Sequence, residues 1–305
     1  LTLLQLCKVL LTLCVNFFYV SCFFSGNVLL IFQGEYHRRR LVKLAISAQF
    51  SEYFYMNTMN EYQAPAELLK DKVILITGAG DGIGAEAARC YAAHGATCIL
   101  LGRTVAKLEK VYDEIVAAGN AEPAIVPLDL KGATPTHYQQ MGQTIKEQFG
   151  RLDGVLHNAS VLGHLSAFKD IGEEEWRDVM QINLNGTVFM TQALIPVLEA
   201  APNASVVFTT SSVGRKGRAF WGTYAVSKFA TEGVMQTLAD EYRHKSLRFN
   251  CINPGGTRTS MRAQAFPAEN PETLKTPADI MPTYLYLMGD ESIEVTGQSL
   301  DCQPK

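Results

Sequence analysis

Past residue 68 the chain alternates between two hydrophobic periods, and that alternation sets out an architecture. Short apolar runs at 73–76, 97–101, 124–128, 154–157, 205–209 and 247–252, with a last one at 298–301, predict strands. Between them, apolar residues recur every three or four positions, which predicts helices over 85–94, 105–118, 137–149, 174–198 and 223–242. The last of these shows the period in Val226, Phe229, Ala230, Val234 and Leu238. Gly119-Asn120 is a stop signal for the second helix, and Gly186 and Pro196 predict interruptions in 174–198. Strands without a polar face, separated by helices, imply a mostly parallel sheet covered on both sides. The expected fold class is therefore α/β, doubly wound, in one domain running to the C-terminus. In such sheets the working residues gather at the carboxyl ends of strands. Asp129, Asn158, Ser211 and Asn253-Pro254-Gly255 all fall there.

The first strand runs directly into Thr77-Gly78-Ala79-Gly80-Asp81-Gly82-Ile83-Gly84 and then into a helix. Glycines let the backbone turn tightly and approach a pyrophosphate, whose charge then faces the helix N-terminus. A glycine-rich loop alone is often only a turn. Its place between strand and helix makes this one a dinucleotide site. The spacing is G-x-x-x-G-x-G rather than G-x-G-x-x-G.

Tyr224 and Lys228 lie four residues apart on the predicted helix 223–242, and Ser211 lies thirteen residues before the tyrosine. Positions i and i+4 share a helix face. The spacing predicts that the Lys228 ammonium stabilises a Tyr224 phenolate, lowering a phenol pKa of about 10 towards the range of general acid-base catalysis. By itself such a pair is commonplace on helices; the glycine loop and the strand-end residues give it meaning.

Composition excludes several classes. With 27 Lys and Arg against 30 Asp and Glu, the net charge is −3, and no basic stripe dominates, so nucleic-acid binding is not expected. The seven cysteines form no C-x-x-C pair and no His/Cys cluster, so a reducing compartment and no metal site are expected. Residues 1–58 are a different material. From 9 to 32 the chain is apolar and carries no charge, long enough to span a bilayer, and a basic stretch, Arg38-Arg39-Arg40, follows. Two readings stand: a membrane anchor with the catalytic domain in the cytoplasm, or upstream translation, with the cytoplasmic domain 59–305 starting at Met59.

Taken together, these residues resemble the short-chain dehydrogenase/reductase family over 68–303. The resemblance rests on TGAGDGIG, Asp129, His157-Asn158-Ala159-Ser160, Asn183, Ser211-Ser212, Tyr224-x-x-x-Lys228 and the NPGGTRT run at 253–259. Within the family, the stretches around 208–233, 250–267 and 274–282 resemble the bacterial YciK-type oxidoreductases. The fold implied is a single Rossmann-type doubly wound parallel sheet of about seven strands. The activity implied is hydride transfer between a nicotinamide cofactor and a carbonyl or secondary alcohol. Tyr224 would be the acid/base, Lys228 would tune it and hold the nicotinamide ribose, and Ser211, with Ser212 as rival, would polarise the substrate oxygen. Asn183 would belong to a helix kink that joins Lys228 to solvent. Gly78, Gly82, Ile83 and Gly84 would hold the pyrophosphate. Asp129 and Leu130 would border the adenine, and Asn158 and Ala159 a ribose. Thr257 and Thr259, with Pro254, would border the carboxamide. The resemblance also implies a homodimer or homotetramer built on the helices around 179–198 and 229–238.

The end of the second strand decides between cofactors. NAD sites present a carboxylate there for the ribose 2′-hydroxyl. This chain has Leu101-Gly102-Arg103-Thr104 instead, and a guanidinium matches a phosphate in shape and charge, so NADP is expected over NAD. Asp81 pulls the other way. Two positions depart from the family pattern, His157 and Ser160 standing where asparagine and glycine are usual; His157 reads as a satisfied strand histidine. A lid is expected over 260–277, with Arg262 as a candidate for an anionic substrate group. Competing readings are a membrane-anchored reductase of lipid- or steroid-type carbonyls, and a non-catalytic nucleotide-binding protein of the same fold.

Overall fold

Five consecutive residues of Val73–Thr77 (β1) are buried on both faces, the environment that an unbroken apolar run requires. The computed structural model describes residues 62–303; the apolar segment at 9–32 and the start expected at Met59 lie outside the described residues. In chain order there follow α1 (Gly82–Ala93), β2 (Thr97–Gly102), α2 (Val105–Ala117), β3 (Ala124–Pro127), α3 (Pro135–Phe149) and β4 (Gly154–His157). After these come α4 (Glu173–Met180), α5 (Gly186–Leu198), β5 (Ala204–Thr209), α6 (Gly222–Glu241), β6 (Leu247–Asn253), α7 (Ser260–Ala265), α8 (Met281–Met288) and β7 (Ser299–Asp301).

All seven strands form one parallel sheet in the order β3-β2-β1-β4-β5-β6-β7. The fold is thus the expected doubly wound α/β sheet. Strand order reverses between β1 and β4, paired through Leu75 and Val155, so a crevice opens at their carboxyl ends. Alternate residues of each strand serve different layers. Ile74, Ile76, Leu100, Leu156 and Val207 pack with Tyr91 of α1 and Tyr284 of α8. Leu75, Ile99, Val155, Val206 and Phe208 pack with Tyr138 of α3 and Leu194 of α5.

One sequence expectation needs correcting. The helix predicted over 174–198 is interrupted next to Gly186, as expected, by a π-helical turn, Gln181–Asn185, between α4 and α5, but it does not break at Pro196. Gly186 also serves close packing, since a Cβ there would lie 3.1 Å from the Tyr138 hydroxyl of α3. Pro196 falls in the last turn of α5, where only its own missing N–H is lost. In addition, α8 has no polar face: every residue except Pro282 is buried, so it carries no amphipathic signal.

Candidate functional site

Past Thr77, the chain must turn within a few residues from the end of β1 to the start of α1. Gly78 and Gly82 take left-handed backbone, φ 70° and 52°, which favours glycine. Gly84 answers a different demand: a Cβ there would lie 2.2 Å from the Gly78 carbonyl oxygen and 2.8 Å from Asn158 Nδ2. Thr77 holds the facing strand, its hydroxyl accepting hydrogen bonds from the Asn158 and Ala159 N–H groups at 2.9 and 3.0 Å. Asp81 caps α1 by accepting from Gly82 N–H at 2.7 Å. Lys107 of α2 binds the same carboxylate and holds it below its ordinary pKa. Asp81 is thereby paired with a cation, which removes the pull towards NAD that its charge alone implied.

The loop opens on a cavity of about 420 Å³ that runs along the strand ends. Gly78, Gly82, Ile83, Arg103, Asp129, Leu130, Asn158, Ala159, Ser211, Tyr224, Pro254, Thr257 and Thr259 all line it, and Thr259 comes up against the glycine loop, its Cγ2 3.5 Å from a Cβ placed at Gly82. Three predicted site residues do not line it. Gly84 packs behind the loop, Lys228 is buried under Tyr224, and Asn183 is 3 % exposed within the π turn. The Asn183 side chain accepts from Val161 N–H at 2.8 Å and donates to Val161 C=O at 2.9 Å and to Ser227 Oγ at 3.1 Å. It therefore ties the π turn to the segment after β4 and to α6. The Thr257 hydroxyl donates to the Pro254 carbonyl at 3.1 Å, and Thr259 caps α7 by accepting from Arg262 N–H at 3.2 Å.

In the same cavity, Ser211 stands beside the Tyr224 phenol. Burial pushes the phenol up to about 12, and the Ser211 hydroxyl works against that rise. Lys228 is pushed down to about 8 by burial. Its Nζ donates to the Thr209 carbonyl at 2.8 Å and lies 5.4 Å from the centre of the Tyr224 ring. The expected lowering of the phenol by Lys228 is thus not found in this geometry. The i,i+4 spacing puts both residues on one face, but the ammonium is drawn to a backbone oxygen, and desolvation governs the tyrosine.

The other departures resolve simply. His157 Nε2 meets the Thr191 hydroxyl at 2.9 Å, its ring stacks on Phe208 at 5.1 Å, and burial pushes it down to about 3. It is a neutral core residue. Ser160 lines the cavity, and its backbone stays outside the left-handed region, so no glycine is needed there. Arg262 does not serve a substrate anion: Nε and Nη2 each bind a carboxylate oxygen of Glu269 at 2.6 Å. Sequence reasoning read Thr77 only as the first residue of the glycine motif and Met261 only as part of the lid, and it missed Leu162 and Trp221, which carry no local signal.

A glycine cradle at a topological switch point, and a buried tyrosine with a half-buried serine above a lysine, define a nucleotide-dependent oxidoreductase site. The chain belongs to the short chain dehydrogenase family, whose model matches residues 72–270. It is 56% identical over 243 residues to the oxidoreductase YciK of Escherichia coli, covering 80% of this chain and 96% of that protein. A short chain dehydrogenase of Escherichia coli solved in complex with NADPH superposes with TM-score 0.77 at 56% identity, over 79% of this chain and 100% of the other. Cyclohexanol dehydrogenase of an Acinetobacter species is 30% identical over 237 residues, 74% of this chain and 91% of that enzyme. The chain is accordingly an oxidoreductase of the CH–OH/C=O type. Among the described residues, no helix is long and apolar enough to cross a membrane.

Proposed function

We propose that this oxidoreductase uses NADP(H) to interconvert a carbonyl and a secondary alcohol on a small molecule, with Tyr224 as acid/base. The observation that carries the reading is that Tyr224 and Ser211 line the same cavity as the glycine loop. The residues suit the cofactor: bare glycine backbone at the start of α1, and Arg103 exposed at the end of β2 where NAD sites carry an acid. The Cα-level likeness to a relative solved with NADPH favours the same choice.

Gly78, Gly82, Ile83 and Gly84 would hold the pyrophosphate, Arg103 the 2′-phosphate, and Asp129, Leu130, Asn158 and Ala159 the adenosine side. Pro254, Thr257 and Thr259 would border the nicotinamide. NADP(H) supplies or accepts the hydride. The protein's own part is at the substrate oxygen. A phenol pushed up to about 12 is protonated at neutral pH, so Tyr224 is ready to give its proton to the oxygen as a carbonyl is reduced. Ser211 hydrogen-bonds the same oxygen and the phenolate left behind. Lys228 adds positive charge beneath that phenolate, and the Asn183 turn fixes its surroundings. In oxidation the same steps run in reverse.

Exposed Phe189 on α5 and Val226 and Phe229 on α6 fit a homodimer or homotetramer through those helices. A cytoplasmic enzyme whose catalytic domain spans 59–305 is the reading in keeping with this site. Fluorescence titration with NADPH and NADH, followed by turnover of a panel of ketones and aldehydes, tests the proposal. Binding of NADPH with reduction of some members is expected; tight NADPH binding with no turnover would favour a non-catalytic nucleotide-binding role.

A further inference from the structure

Three arginines of the segments that follow β5 and β6 already have acidic partners. Arg215 is bound by Asp301 and Glu232, Arg258 by Glu272, and Arg262 by Glu269. Arg218 differs. Among the described residues it has no acidic partner, and its contacts are aromatic faces: the guanidinium carbon lies 5.8 Å from the centre of the Trp221 ring and 5.7 Å from that of Phe266. Trp221 lines the cavity and packs 5.9 Å from the Tyr224 ring. Arg218 therefore stands one aromatic ring away from the acid/base.

Its position is built rather than incidental. Trp221 N–H donates to the Arg218 carbonyl at 3.2 Å, closing a four-residue turn. The third residue of that turn, Phe220, holds φ 72°, a place that glycine normally fills. A bulky residue in left-handed backbone is a genuine outlier, and such strain concentrates at functional sites. The turn folds Arg218 back over the indole and leaves its charge exposed. Trp221, Leu162 and Met261 supply apolar wall beneath it.

Resting on the reductase reading, we propose that Arg218 determines specificity for carbonyl substrates that carry a carboxylate about one ring length from the reacting carbon. A single guanidinium matches a carboxylate in charge and in fork geometry. The apolar wall takes the body between the two groups.

The test compares 4-carboxybenzaldehyde with 4-methylbenzaldehyde, alike in shape, on the full chain with NADPH. The readout is the ratio of their kcat/KM values in the native protein, Arg218→Gln, Arg218→Lys and Lys216→Gln. The ratio should fall about tenfold to hundredfold in Arg218→Gln, through KM, the size of a lost charge-assisted hydrogen bond. It should recover in part in Arg218→Lys and hold in Lys216→Gln, an exposed cation two residues away. An unchanged ratio in Arg218→Gln, or an equal fall in Lys216→Gln, overturns the proposal. Failure to reduce either aldehyde would count against the reductase reading instead. Quenching of tryptophan fluorescence in the NADPH complex by 4-carboxybenzoate, against 4-methylbenzamide, then decides: carboxylate binding lost in Arg218→Gln sustains the role of Arg218, and no preference for the carboxylate overturns it.

Discussion

Lys228 gives its ammonium to the carbonyl oxygen of Thr209 at 2.8 Å, while the ring of Tyr224, one helical turn earlier, lies 5.4 Å away. The lysine is thus anchored beneath the tyrosine by the end of β5. Because burial holds Lys228 near 8, the charge is present at neutral pH and is lost as pH rises through that value. The rate of carbonyl reduction should therefore fall on the alkaline side of about pH 8. Lys228→Met should lower kcat about a hundredfold and abolish that alkaline limb, as read from pH–rate profiles. A Lys228→Met enzyme that keeps the limb would show that another group sets it.

Arg103 should sort the two cofactors. Arg103→Ala is expected to weaken NADPH about tenfold to hundredfold, the range of a hydrogen bond to a charged group, and to change NADH by less than about threefold. Parallel fluorescence titrations measure both. An equal loss for the two would place Arg103 outside the 2′ site.

Gly84 leaves no room for a side chain, with the Gly78 carbonyl 2.2 Å from a Cβ placed there. Gly84→Ala must push the loop away from Asn158, at a cost of about 1–3 kcal/mol of stability. Thermal melting should show that loss, and titration should show NADPH affinity reduced at least tenfold in the protein that remains folded. Gly119, with nothing within 4 Å of a Cβ but φ 79°, serves as the comparison: alanine there should cost stability and spare NADPH binding.

His157 should make the fold acid-sensitive. Burial holds it neutral to about 3 in the folded chain, against 6.5 for a free histidine, so the unfolded chain takes up the proton first. Its contribution is complete above pH 6.5 and is lost progressively as pH falls towards 3, at up to about 1.4 kcal/mol per pH unit. His157→Asn, which keeps a partner for Thr191, should flatten the fall of melting temperature between pH 6.5 and 4.5. An unchanged slope would assign the acid sensitivity to other groups.

Much of this was legible in the sequence because the relevant signals are local. Unbroken apolar runs named the buried strands, and the glycine spacing and the Tyr224/Ser211 pair named residues that line one cavity. What stayed hidden depends on distant parts of the chain meeting. The packing role of Gly186 stayed hidden because nothing nearby announces Tyr138 of α3 against it. Arg262 read as a free cation because Glu269 lies seven residues on, across the end of α7. The pKa of Tyr224 went the other way from the one expected because burial, a property of the whole fold, outweighs a neighbour four residues away.

The central claim is that Tyr224 moves the proton at the substrate oxygen, and Tyr224→Phe tests it most directly. The substitution keeps the ring between Trp221 and Lys228 and removes only the hydroxyl. NADPH affinity should stay within about threefold of the native protein while kcat for carbonyl reduction falls about 10²–10⁴-fold. Full activity in Tyr224→Phe, with NADPH still bound, would contradict the account.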